Sequence, residues 1–250
     1  MTGCWIEDLS WPAVGERLAA GWPVVVPIGA RSKEHGHHLP MCTDYLVARA
    51  LCDGIAAHLP VLIAPVIDFG YYPAFLRYPG SQHLRAETFV ALLTDVLDRL
   101  FDQGAARIAI VNTGVSTEGP VQIAARDILV RRGVAVPIAD IRRLGRASAA
   151  GLTQKLGGHG DEHETSLMLA IAPERVDMRK AVPDYGNMLD EPASVFIASA
   201  VFQNDPASGI NHSATGVRGD PSLATVEKGR VILADMIGEL VAGLRPMCRP

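Results

Sequence analysis

The apolar run Val24-Val25-Val26-Pro27-Ile28-Gly29 leads into Lys33-Glu34-His35-Gly36-His37-His38-Leu39-Pro40, and Asp44 follows four residues later. A short continuous apolar run rich in β-branched residues and closed by glycine predicts a buried strand. The segment after it is polar and concentrates three of the chain's eight histidines within four residues. Ligands of open α/β sheets bind beyond the carboxyl ends of the strands. A strand that delivers Glu34, His35 and Asp44 to that end predicts a divalent metal site. The mixture of imidazole and carboxylate suits zinc, manganese or iron better than calcium. Glu34 and His35 are neighbours, so on regular extended backbone they would face opposite ways. Gly36 allows the turn that lets both serve one site.

Outward from this stretch, short apolar runs alternate with longer helical patterns, the signature of a parallel α/β sheet. Strands are expected at Trp22–Ile28, Val61–Ala64, Arg107–Asn112, Val134–Ala139 and Val195–Val201. A helix is expected over Thr43–His58, capped by Thr43. A second over Glu87–Gln103 carries the stripe Phe89, Leu92, Leu93, Val96, Leu97 and Leu100 and stops at Gly104. A third is expected over Ser222–Leu244. No repeat, low-complexity tract or linker divides the chain, which reads as a single domain over residues 1–250.

With 48% hydrophobic residues the chain has enough apolar side chains for a full core. A net charge of −4 and the lack of a basic stripe argue against nucleic acid as a partner. No apolar run approaches the roughly 20 residues of a membrane span, and the N-terminus does not read as a signal peptide. Four cysteines without CxxC spacing fit a reduced, cytoplasmic protein.

A second polar cluster, Gly157-Gly158-His159-Gly160-Asp161-Glu162-His163-Glu164-Thr165-Ser166, precedes an apolar segment that reads as helical. His159 is the candidate proton shuttle, and Glu164 is either its catalytic partner or a helix-start cap. Glu162 and His163 are further candidate ligands. His83, Tyr72 and Thr113 lie in loops suited to line a small-molecule pocket, as do Tyr71 and Arg77.

Taken together these stretches resemble the creatininase family of metal-dependent amidohydrolases. Gly29-Ala30 and His35-Gly36-His37-His38-Leu39-Pro40 with Asp44 follow its first signature. Tyr78-Pro79-Gly80-Ser81 to Leu84, His159-Gly160 to Glu164-Thr165-Ser166, and Gly219-Asp220-Pro221 to Lys228-Gly229 follow its later ones in order. The resemblance implies a three-layer αβα fold with a mainly parallel sheet, assembled as a homo-oligomer and often as a hexamer. It also implies hydrolysis of a small amide or lactam by metal-activated water. By position, His35 and Asp44 take ligand roles and His159 that of the catalytic histidine.

Two departures bear on the metal. Lys33 holds the place of the family's first glutamate, with Glu34 displaced by one residue. The loop that supplies a histidine, and in two-metal members a glutamate, reads Asn112-Thr113-Gly114-Val115-Ser116-Thr117, with Gly114 and Ser116 in those places. Three outcomes follow. One ion is held by Glu34, His35, Asp44 and a group such as Glu162 or His163; or a pair is rebuilt with His83 or His37. In the third, the scaffold serves another reaction, as a lyase or isomerase on a keto or polyhydroxylated compound, or only binding.

Overall fold

The run Val24–Ile28 is the central strand of a five-stranded, fully parallel sheet. The computed structural model describes residues 2–186, 201, 202, 205, 207 and 213–249. In chain order the strands are β1 (Cys4–Trp5), β2 (Val24–Ile28), β3 (Leu62–Ile63), β4 (Ile108–Asn112) and β5 (Ile138–Asp140). The helices are α1 (Trp11–Ala19), α2 (Thr43–His58), α3 (Ala86–Asp102), α4 (Glu118–Arg132), α5 (Arg146–Ala149), α6 (Glu162–Ile171) and α7 (Val226–Leu244). Sheet order is β1-β3-β2-β4-β5.

Because strand side chains alternate, β2 divides its residues between two cores. Val24, Val26 and Ile28 pack with Leu18 of α1, Phe89, Leu93 and Leu97 of α3, and Val121 and Ile128 of α4. Val25 faces the other way, with Leu51 and Ile55 of α2, Leu167 and Met168 of α6, and Met236 and Leu240 of α7. The result is a three-layer αβα architecture with both sheet faces covered. Each fully buried Leu or Phe in these layers contributes roughly 1.5–3 kcal/mol relative to exposure.

Pro27 sits in the middle of the sheet, where proline is rarely tolerated because it has no N–H. Here β3 pairs only with Val24 and Val25. Beyond that the neighbouring chain leaves the ladder and returns through Ile67, whose N–H donates to Pro27 O at 2.9 Å. The missing donor therefore falls on the side where no ladder remains.

The helix expected over Thr43–His58 forms with those bounds, but Thr43 is its first residue rather than its cap. Its hydroxyl donates to Pro40 O at 2.7 Å, and Cys42 takes the cap position without a side-chain bond. The C-terminal helix starts at Val226, after a separate 3-10 turn over Pro221–Leu223, and the Thr225 hydroxyl caps it by accepting from Lys228 N. The strand expected over Val134–Ala139 reduces to Ile138–Asp140, because the preceding residues carry the chain away from the αL cap at Gly133. The strand expected at Val195–Val201 lies, except for its last residue, outside the described residues. Helix α4 has no sequence expectation behind it: the exposed Ile123, Leu129 and Val130 blur the buried stripe of Val121, Ala124, Ala125 and Ile128.

Candidate active site

Beyond the carboxyl end of β2, the chain from Lys33 to His38 is irregular, and Gly36 takes a positive φ of 79°. That turn sends Glu34 and His35 to separate partners, and Lys33, Glu34, His35 and Asp44 are all buried. Asp44 arrives in the first turn of α2, and His159 and Glu164 arrive from the N-terminus of α6. His159 is fixed by reciprocal backbone bonds to Arg218, and Asp161 caps α6 by accepting from Glu164 N at 3.0 Å. Glu164 reaches back past the cap, accepting from Gly160 N at 2.6 Å, so it too helps to hold the helix start.

Hydrogen-bond partners fix the orientation of the two central histidines. His35 Nδ1 lies 2.9 Å from Lys33 O and its Nε2 lies 2.9 Å from Asp44 Oδ1, both acceptors, so any ion on Nε2 must replace the contact with Asp44. His159 Nε2 lies 2.8 Å from Glu34 O and 2.7 Å from Glu34 Oε1, both acceptors, so Nε2 carries the proton. His159 Nδ1 faces Glu164 Oε2, 3.8 Å away. The ligand atoms of His35, His159 and Glu164 lie within 4.8 Å of one another. The two rings are 4.7 Å apart, and Phe75 covers His159 at 4.2 Å.

The electrostatics follow from this packing. Burial penalises the Glu34 charge, but the His159 charge and hydrogen bond outweigh it and bring Glu34 down to about 2. Burial likewise opposes charge on His159, yet Glu34 and then Glu164 raise its pKa. Glu164 is lowered despite burial, by His159, His35 and Lys33. Lys33 Nζ sits 2.7 Å from Asp44 Oδ2 and 5.2 Å over the Phe75 ring. Against the cost of burial, Lys33 and then His35 hold Asp44 far below the usual carboxylate range, while Asp44 and then Glu164 raise Lys33. His38, buried and bonded to Thr165 Oγ1 at 2.8 Å, is pushed down to about 4 chiefly by desolvation.

A cavity of about 340 Å³ opens against this cluster, lined by Asp44, Thr113, Arg142, Gln154, His163 and Glu164 among others. Several expected residues belong elsewhere. Glu162 is fully buried but turned away, accepting from Thr153 N at 2.8 Å, Gln154 N at 2.7 Å and Lys228 Nζ at 2.5 Å; it anchors α6 to α7 and is not in the cluster. Tyr72 donates to Ser32 O and Gln82 O, and His83 packs near Tyr71 and Tyr72, neither of them on the cavity. Thr113 lines the cavity, but its hydroxyl is spent on Ile28 O and Asp44 O. Sequence reasoning missed Phe75, for which no motif exists. It also missed Gly216, where a Cβ would lie 2.0 Å from Glu34 Oε2.

The donor set can be tested against a metal. Glu34 is engaged by His159, and Asp44 by Lys33 and His35. In the loop after β4, Asn112 bonds Gly114 N and O and Asp140, and Gly114 has no donor to offer. A pair of ions does not fit these residues. One ion fits better: the ligand atoms of His35, His159 and Glu164 converge, and His35 Nε2 would exchange its contact with Asp44 Oδ1 for the ion.

Comparison with known proteins agrees with the fold. The family model described as creatininase, creatinine amidohydrolase, matches residues 7–244. The chain is 27% identical to a creatinine amidohydrolase of Pseudomonas putida, over 96% of this chain and 95% of that protein. It is 29% identical to a mycofactocin precursor peptide peptidase of Mycobacterium tuberculosis, over 87% and 82%. Among known structures, a creatininase with manganese superposes with a TM-score of 0.82 at 26% identity, covering 99% of this chain and all of the other. A creatininase variant of the Zn-Zn type superposes at 0.81, also at 26% identity, with both chains fully covered. With the family model spanning nearly its whole length and the αβα architecture shared, the chain belongs to the creatininase family, as an enzyme of that family's hydrolase type.

Proposed function

We propose that this chain hydrolyses a small polar amide, lactam or related C–N bond, using one divalent ion (zinc, manganese or iron) held by His35 Nε2, His159 Nδ1 and Glu164. The observation that carries the reading is the convergence of two buried imidazoles whose other nitrogens are already committed, His35 Nδ1 to Lys33 O and His159 Nε2 to Glu34. A histidine that donates its second N–H to a carboxylate is the usual setting of a metal ligand. Such an ion, when bound, lowers the pKa of water and polarises the substrate carbonyl.

The chain's own residues supply the rest. Glu34 holds the Nε2 proton of His159 and fixes the ring. Phe75 covers that ring and keeps water off its face. With both nitrogens of His159 engaged, proton carriage falls to His163, the histidine among the cavity-lining residues. It takes the proton that water releases and returns it to the leaving nitrogen as the C–N bond breaks. A cavity of about 340 Å³ suits a small substrate. The names of relatives support hydrolysis while differing in substrate: creatinine amidohydrolase, a peptide peptidase and 3-dehydro-scyllo-inosose hydrolase. A homo-oligomer is part of the same proposal, supported by the exposure of Trp11, Val130 and Val231, and sedimentation velocity tests it.

Turnover in oxygen-18 water tests the reaction. The label is expected in the acid product; deuterium on carbon from heavy water, without oxygen-18, would instead mean a lyase or isomerase. Elemental analysis that finds no metal in active protein would remove the ion from the reading.

A further inference from the structure

We infer that the Lys33 ammonium stands where a second cation would otherwise face Asp44, so that this chain excludes an ion from that position. The inference rests on the single-ion reading above for the first site but concerns a different carboxylate oxygen. Lys33 Nζ lies 2.7 Å from Asp44 Oδ2, and the pair is almost sealed, with side-chain exposures of 7% and 4%. A divalent ion on that oxygen would meet a positive charge at contact distance in a low-dielectric setting, where like charges repel strongly. The Phe75 face holds the ammonium from its other side, 5.2 Å from the ring centroid. Asp44 Oδ1 faces His35 Nε2 at 2.9 Å, on the side of the first ion.

The loop after β4 offers such an ion no side-chain ligand at Gly114. Asn112 closes a small turn on Gly114, donating to its O at 2.9 Å and accepting from its N at 3.2 Å. A Cβ on Gly114 would lie 2.9 Å from Thr117 Oγ1, so the turn is packed as well as donor-free. Lys33 and this closed turn are therefore two parts of one adaptation. A fixed side-chain charge replaces an exchangeable ion, and it needs no ligands from the loop after β4.

The test counts ions. Purified protein is stripped, then dialysed to saturation with Mn(II), and bound metal is measured per folded chain, alongside the Mn(II) paramagnetic resonance spectrum. Wild type is expected to bind one ion with the spectrum of isolated Mn(II). Lys33→Glu is expected to bind one more than wild type, with a spectrum showing coupling between neighbouring ions. If Lys33→Glu does not fold, Lys33→Met replaces it: with its charge gone, Asp44 is expected to take up an additional ion. Wild type that already binds two ions, or variants that bind no more than wild type, would overturn the inference. Wild type that binds none refutes the single-ion reading alone, and the difference between variant and wild type still decides the place of Lys33.

Discussion

His159 and Glu34 lie 125 residues apart in the chain and meet at 2.7 Å, in a setting that leaves His159 about 5% exposed and Glu34 about 8%. This contact joins the loop after β2 to the start of α6, and it sets which nitrogen of His159 faces the cluster. It is the joint on which the proposed site turns.

Replacing Glu34 with Gln should leave the fold intact but loosen the His159 orientation. Metal affinity and turnover are both expected to fall about 10–100-fold, the usual cost of losing a ligand's supporting carboxylate. His159→Asn should abolish tight binding, whereas His163→Asn should lower kcat and leave metal content unchanged. Dialysis with elemental analysis, paired with steady-state kinetics, separates the three.

Chelation should destabilise as well as inactivate. Any ligand that binds only the native state stabilises by mass action, about 2.7 kcal/mol at 100 times its Kd. Melting temperature is therefore expected to drop on chelator treatment and to recover on adding back zinc or manganese. An unchanged melting curve would count against a resident ion.

In metal-free protein, two of the shifted buried groups mark distinct pH windows. His38 is lowered from 6.5 to about 4, so the unfolded chain binds its proton first and stability is lost as pH falls through that window. Glu34 is lowered from 4.5 to about 2, so its contribution, at most about 3 kcal/mol, is complete above 4.5 and lost toward 2. Denaturant midpoints measured across this range should fall in both windows. Glu34→Gln should shrink the lower step, to which Asp44 and Glu164 also contribute, and His38→Asn the upper.

Breaking the Glu162 anchor should cost stability without touching the ion. Lys228→Met leaves a fully buried carboxylate with two amide donors and no cation. A loss of about 3 kcal/mol is expected in urea titrations. Metal stoichiometry of the folded fraction should not change; if it falls, Glu162 belongs to the site after all.

Gly216→Ala tests a residue that no motif marks. Its φ is +82°, and the added Cβ would stand 2.0 Å from Glu34 Oε2. Backbone strain alone is worth about 1–3 kcal/mol. Metal affinity should fall alongside stability as Glu34 is pushed off His159, and calorimetric titration measures it.

By itself the sequence determined the layer order and the order of the signatures. The β2 run, the α2 pattern and the α3 stripe are local: alternation and periodicity record which faces are buried, and those faces made the three layers. The polar stretches at Lys33–Asp44 and His159–Glu164 were each legible as candidate sites, and the order of the signatures joined them. Which carboxylate meets which cation was decided only in three dimensions. Glu162 and Glu164 are two residues apart, yet successive helical positions turn about 100° per residue, so one anchors α7 and the other faces the cluster. The same holds for Lys33, which in sequence is only a substitution at a ligand position. Its charge matters because folding places it against Asp44 and removes the water that would otherwise screen the pair.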